Sequence, residues 1–125
     1  MDRVGLLLLA HGARDAHWAR PFEQVAAAVR AARPQQAVRL AFLEIMAPDA
    51  AAAGDELAAA GCTVVDVLPL FLGAGGHVRK DLPPLLDRLR ARHAGVRFTL
   101  HPAVGEAPLL IAAMADIALA LPAGR

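Results

Sequence analysis

Apolar runs and helical stretches alternate four times along this chain, and that alternation restricts the fold more than any other feature. Residues 4–10, 38–44, 63–72 and 97–101 read as strands, and each is followed by a stretch of helical character. Strand followed by helix, repeated, implies a mostly parallel sheet with helices on both faces. The first run is nearly continuous in apolar residues, as a strand covered on both sides requires. The expected fold class is therefore α/β: a single doubly wound domain over residues 1–125, with a four-stranded sheet in the order 2-1-3-4.

Local signals set the helix ends. Asp15 can cap a helix over 15–33, in which Phe22, Val25, Ala26 and Val29 recur at helical spacing and which Pro34 ends. Asp49 can cap a helix over 50–60, with Gly61 as its stop. After the loop "GAGGHVRK", Asp81 can cap a third helix with Pro83 and Pro84 in its first turn. Leu85, Leu86 and Leu89 are its expected inner face, and Asp87, Arg88, Arg90 and Arg92 its outer one. The last helix is expected over 106–121. No linker or low-complexity segment interrupts the series.

Composition removes several functional classes. The sequence contains no serine and no asparagine, which excludes a serine nucleophile even though "HG" follows the first strand. Cys62 is the only cysteine, so an intrachain disulfide and a thiolate-rich metal site are excluded, and a small buried hydrophobe is its expected role. Net charge is +1 with the arginines scattered, and tyrosine is absent. A nucleic-acid partner needs a basic stripe or stacking aromatics, and neither is present. No apolar run is long enough to span a bilayer and no signal-peptide pattern is present, so no membrane partner and a cytoplasmic location are expected.

The polar residues gather on this frame. His11 follows strand one, Glu44 ends strand two, His77 follows strand three and His101 ends strand four, all at the carboxyl end of the sheet, where open α/β sheets place their ligands. In the order 2-1-3-4, strands one and three are neighbours, so His11 and His77 face each other across a cleft with Glu44 on its flank. Two imidazoles and a carboxylate suit a mid-row divalent cation, and the same groups exchange protons near neutral pH. Gly73, Gly75 and Gly76 let the chain approach a bulky ligand. Arg14, Arg79 and Lys80 offer cationic donors, which points to an anionic ligand. Glu44 could equally be a cap or an ion-pair partner, and Arg79 and Lys80 a solvated loop. His17 and His93 are expected at the surface, Trp18 in packing, and His101 either in the site or beside it. From residues alone the reading is a metal- or anion-handling α/β domain with a two-histidine cleft.

The motifs "LLLLAHGARD", "AFLE" followed by Pro48, "VLPLFLGAGGHVRKDLP" and "VGEAPLL" together resemble the small class II chelatases that insert cobalt or iron into sirohydrochlorin. The resemblance runs through nearly the whole chain. It implies a catalytic and metal-handling role for His11 and His77 and a place in the site for Glu44. It further implies substrate contacts from Arg14, Gly75, Gly76, Arg79 and Lys80. The implied activity is ATP-independent insertion of Co²⁺ or Fe²⁺, or Ni²⁺, in cobalamin or sirohaem biosynthesis, with the metal as substrate and no tightly bound cofactor. A homodimer is implied as well, since the chain resembles half of a two-domain chelatase. Ala13 stands where the family often has serine after "HG", which removes one hydroxyl near the site.

Two other readings share these features. Histidine phosphatases also place "HG" after a first strand, but they need arginine just before the histidine, and Ala10 stands there. A non-enzymatic carrier of metal or tetrapyrrole, or a partner subunit in a larger assembly, would use the same two-histidine cleft without turnover.

Overall fold

A computed structural model of the chain describes residues 1–73 and 75–124, apart from the side chain of His77. Its strands are β1 (Val4–Ala10), β2 (Val38–Phe42), β3 (Val64–Pro69) and β4 (Arg97–Leu100). Its helices are α1 (Arg20–Ala32), α2 (Ala50–Ala59), α3 (Gly76–Arg92) and α4 (Pro108–Leu119), with short 3₁₀ turns at Ala16–Ala19 and Val104–Glu106. The sheet runs β2-β1-β3-β4 and every pairing is parallel, as expected. Register places Leu6 beside Val38 and Asp66, and Val67 beside Leu100.

Because strand side chains alternate between faces, β1 sends Leu7 and Leu9 one way and Leu6 and Leu8 the other. Leu7, Leu9, Val65, Val67 and Phe98 meet Ala53 and Leu57 of α2 and Leu86 and Leu89 of α3 in the main core. The α2–α3 approach is close: a Cβ on Gly54 would lie 3.0 Å from the Leu89 side chain. Asp55 of α2 also accepts hydrogen bonds from Arg92 Nε (2.6 Å) and Nη2 (2.7 Å) and pairs with His93 Nε2 (2.8 Å). The Arg92 guanidinium, opposed by some desolvation and helped by His93, holds the Asp55 carboxyl down at about 2. His93, expected at the surface, is thus half-buried and paired.

On the opposite face α1 packs chiefly on β1 and β2, with Leu68 and Leu70 of the β3 segment at the edge of the same cluster. Ala26 and Val29 pack on Leu8, Val38 and Leu40, and the Arg30 guanidinium donates to the Val38 carbonyl at 2.9 Å. Trp18 stacks near Phe22 and Phe42, in the expected packing role. Cys62 is buried against Gly5, where a Cβ would come within 2.7 Å of the sulfur.

Three expectations need correction. Helix α3 begins at Gly76, with Gly75 as its N-cap, and not at Asp81. The first helical bond, Arg79 N–H to the Gly75 carbonyl at 3.0 Å, brings His77, Arg79 and Lys80 into the first turns. Pro83 and Pro84 therefore lie inside the helix; the carbonyls they leave without donors belong to Arg79 and Lys80, which are exposed to water. The 15–33 helix is split: Asp15 caps the 3₁₀ turn, accepting from His17 N–H at 2.9 Å, and α1 follows with Pro21 in its first turn. Finally α4, expected to join the layers, buries none of its residues. Among the described residues no helix is long and apolar enough to cross a membrane.

Candidate functional site

The β1–β2 pairing continues past the ends of the two strands and so fixes the first two site residues. Leu43 N–H donates to the Ala10 carbonyl (2.9 Å) and Glu44 N–H to the His11 carbonyl (3.0 Å). Gly12 packs directly on Glu44: it has φ +102, and a Cβ there would lie 1.9 Å from the Glu44 carbonyl oxygen. Only glycine fits that approach. The chain then reverses through Ile45, at φ 70, and Phe42 N–H reaches the Pro48 carbonyl at 2.9 Å. Asp49 follows as the α2 cap, accepting from Ala52 N–H at 2.8 Å. Glu44 thus stands two residues beyond β2, in the bend leading to α2, and not at the end of the strand itself.

These elements enclose a cleft of about 380 Å³, within the usual range for small-molecule sites. His11, Phe42, Leu43 and Glu44 line it from the strand ends, and Asp49, Ala50 and Ala51 from the start of α2. Helix α3 contributes Val78, Asp81, Pro84, Leu85 and Arg88. His11 is half-buried and its ring lies against Phe71, centroids 4.2 Å apart and planes inclined by 32°. That contact closes one side of the imidazole and leaves the other toward the cleft. The first turns of α2 and α3 both border the space, so the positive ends of two helix dipoles face it.

His11 and Glu44, expected together, do share the cleft. The side chain of His77 lies outside the described residues. Its backbone, one residue before the cleft-lining Val78, belongs to the first turn of α3. Gly75 and Gly76 form the start of that helix, and a Cβ on either would meet no atom within 4 Å. Arg14, Arg79 and Lys80 are exposed and do not appear among the described residues lining the cleft. His101 lies apart from it: Nε2 is 2.9 Å from Asp66 Oδ1, beside a different groove on the α1 face.

Arg88 is the residue that sequence reading misplaced. It was expected on the outer face of its helix, yet it lines the cleft. Leu85 and Arg88 are three residues apart and share a helical stripe wherever the helix starts, so that spacing was the available signal; the start at Gly76 adds Val78 and Asp81 to the stripe. Among the described residues the cleft therefore holds three carboxylates (Glu44, Asp49, Asp81), one imidazole and one guanidinium. That donor set suits a cation at its carboxylates and an anionic group at Arg88. Among the described residues no three His, Cys, Asp or Glu side chains are grouped closely enough to hold a metal ion.

Comparison with known proteins bears on this geometry. A chelatase of Methanococcoides burtonii named sirohydrochlorin cobaltochelatase is 26% identical over 85 residues, 68% of this chain and 65% of that one. The match thus spans slightly less than two thirds of that relative's length. The sirohydrochlorin cobaltochelatase of Sulfurisphaera tokodaii is 29% identical over 101 residues, 81% of this chain and 79% of that one. Among solved structures, a candidate cobalamin (vitamin B12) biosynthesis CbiX protein from Marinobacter aquaeolei VT8 superposes with a TM-score of 0.82 at 34% identity, covering 93% and 94% of the two chains. SirB from Bacillus subtilis, solved with Fe³⁺, shares the fold with a TM-score of 0.81 at 20% identity, but 96% of this chain covers only 48% of that one. The CbiX family model matches residues 5–119, nearly the full sequence, and the chain belongs to the CbiX family.

Proposed function

We propose that this protein inserts a divalent metal ion, Co²⁺ or Fe²⁺, with Ni²⁺ as the alternative, into sirohydrochlorin without ATP, acting as a homodimer in the cytoplasm. The observation that carries this reading is the shared cleft of His11 and Glu44 at the carboxyl ends of β1 and β2, bordered by the α3 turn that bears His77. The names of its relatives, sirohydrochlorin cobaltochelatases, supply the substrate.

Insertion requires two pyrrole protons to leave while the metal exchanges its water ligands for ring nitrogens. His11 and His77 hold the incoming ion or receive those protons, since a neutral imidazole is both a ligand for such metals and a base near neutral pH. Glu44, held beside His11 by the backbone ladder, supplies negative charge that favours the cation before transfer. The peripheral carboxylates of the tetrapyrrole meet Arg88 inside the cleft and Arg14, Arg79 and Lys80 around it. Open space beside Gly75 and Gly76 leaves room for the macrocycle against the start of α3. The metal and the tetrapyrrole are both substrates, and no further cofactor is needed.

Absorbance of sirohydrochlorin with each metal, run with and without the purified protein, tests the reading. Acceleration over the uncatalysed control is expected, and His11→Ala is expected to lower it by about 10²- to 10³-fold with unchanged circular dichroism. Tight binding of metal or tetrapyrrole with no acceleration would favour the carrier reading instead.

A further inference from the structure

Two large aliphatic side chains stand in water at the carboxyl end of the sheet, on either side of His11. Ile45 follows the cleft-lining Glu44 and is 63% exposed. Leu72 follows Phe71, whose ring lies against His11, and is 68% exposed. Neither lines the cleft itself, and no core cluster among the described residues includes either one. In the order β2-β1-β3 they come after the two strands that flank β1, two strand spacings or about 10 Å apart.

The backbone at Ile45 is strained. Met46 N–H donates to the Glu44 carbonyl, two residues back, at 2.7 Å, and Ile45 between them has φ 70. That is a γ-turn with positive φ at its centre, the rare kind. Glycine or asparagine adopts this region readily, whereas a β-branched residue enters it only under strain. Among the described residues Ile45 is the one non-glycine residue with positive φ. The fold gains little buried surface in return, because most of the side chain faces water. Strain without packing points to a side chain kept for what it touches outside the fold.

Both positions are fixed before any ligand arrives. Gly12 presses on the Glu44 carbonyl just before Ile45, and a Cβ on Gly105 would lie 1.5 Å from the Leu72 carbonyl oxygen. Gly105 N–H also donates to the Phe71 carbonyl at 2.9 Å. Such anchoring lowers the ordering cost of binding. A cleft of about 380 Å³ takes in only part of a tetrapyrrole, so the rest of the ring lies over its mouth. There the flat, apolar face of the ring needs an apolar surface, while its carboxylated edge needs the cations. From strain, exposure and position we infer that Ile45, with Leu72 across from it, is a substrate-contact residue that seats the face of the tetrapyrrole over His11. The inference deepens the proposed function and rests on its assignment of a tetrapyrrole substrate.

Titration of sirohydrochlorin by absorbance, without metal, tests it together with thermal denaturation. Ile45→Asn keeps the left-handed backbone accessible and removes the aliphatic contact. Its Kd for sirohydrochlorin is expected to rise about tenfold, with Tm at or above that of the wild type. Ile45→Leu keeps the apolar bulk and is expected to stay within about threefold of the wild-type Kd. In metal insertion the Ile45→Asn loss falls more on KM than on kcat. An unchanged Kd in Ile45→Asn would overturn the inference. So would a lowered Tm alongside a raised Kd that Ile45→Leu does not restore, since that assigns the side chain to folding. Should the wild type bind sirohydrochlorin with these effects yet insert no metal, the reaction fails and the contact stands. A wild type that binds no sirohydrochlorin overturns the proposed substrate, and the contact with it.

Discussion

The two faces of the sheet were built from similar material and reached different ends. On the α2–α3 face Leu7, Leu9, Val65, Val67 and Phe98 lie under two helices with almost no water contact. On the α1 face Leu6 and Leu68 stay half-exposed at the edge of the cluster formed with α1, and α4 buries none of its own residues there. The difference teaches that apolar content specifies how much surface asks to be covered, while the exits of the loops decide whether the chain's own helices cover it.

Substitutions can break or sharpen this contrast. Leu57→Ala, on the closed face, is expected to cost about 3 kcal/mol in urea denaturation, the middle of the range for a fully buried leucine. An effect below ~1 kcal/mol would mean that this face is looser than it looks. Gly105→Ala drives a methyl group into the Leu72 carbonyl and should cost about 2 kcal/mol, with faster amide exchange at position 105 than in the wild type. Leu68→Ala, on the open half-face, is expected to cost about 1 kcal/mol in urea denaturation. A loss as large as that of Leu57→Ala would mean that this half-face is as closed as the other.

The smallest effect is a dependence on pH. The Asp55 carboxyl falls from an ordinary 3.8 to about 2 in the folded chain, so its contribution is complete above pH 4 and is lost as pH falls toward 2. Asp55→Asn should therefore flatten the fall in Tm between pH 4 and pH 2 without changing its slope above pH 5. The pair is exposed, and a shift of a few degrees at most is expected.

Most of the frame was legible because each signal was local. The parallel sheet, its order, the Asp49 cap and the stop at Gly61 all follow from spacing and residue type, and the structure has them in place. The start of α3 was not legible. Gly75 and Gly76 read as loop, and Asp81 followed by two prolines mimics a helix start, whereas helix formation from Gly76 leaves only two exposed carbonyls without donors. That boundary hid the place of Val78 and Asp81 on the cleft wall, whereas Arg88, three residues after Leu85, was legible from helical spacing alone. The departure of α4 was equally hidden, because it depends on where Gly105 meets the backbone after β3, a contact between segments more than thirty residues apart. His11 and Glu44 were found because both follow strands whose neighbours the topology determines.

The contact of Gly12 with Glu44 has a bearing on how the protein could be redesigned. It welds the ends of β1 and β2 into one piece, so the backbones that carry His11 and Glu44 keep their spacing. A library aimed at altering metal preference would lose its members wholesale if it varied position 12 or the length of the segment between Glu44 and Asp49. On the opposite wall Leu85 packs against the core, while Pro84 and Arg88 line the cleft. Those two positions are where diversity can be introduced while the His11–Glu44 half holds its shape.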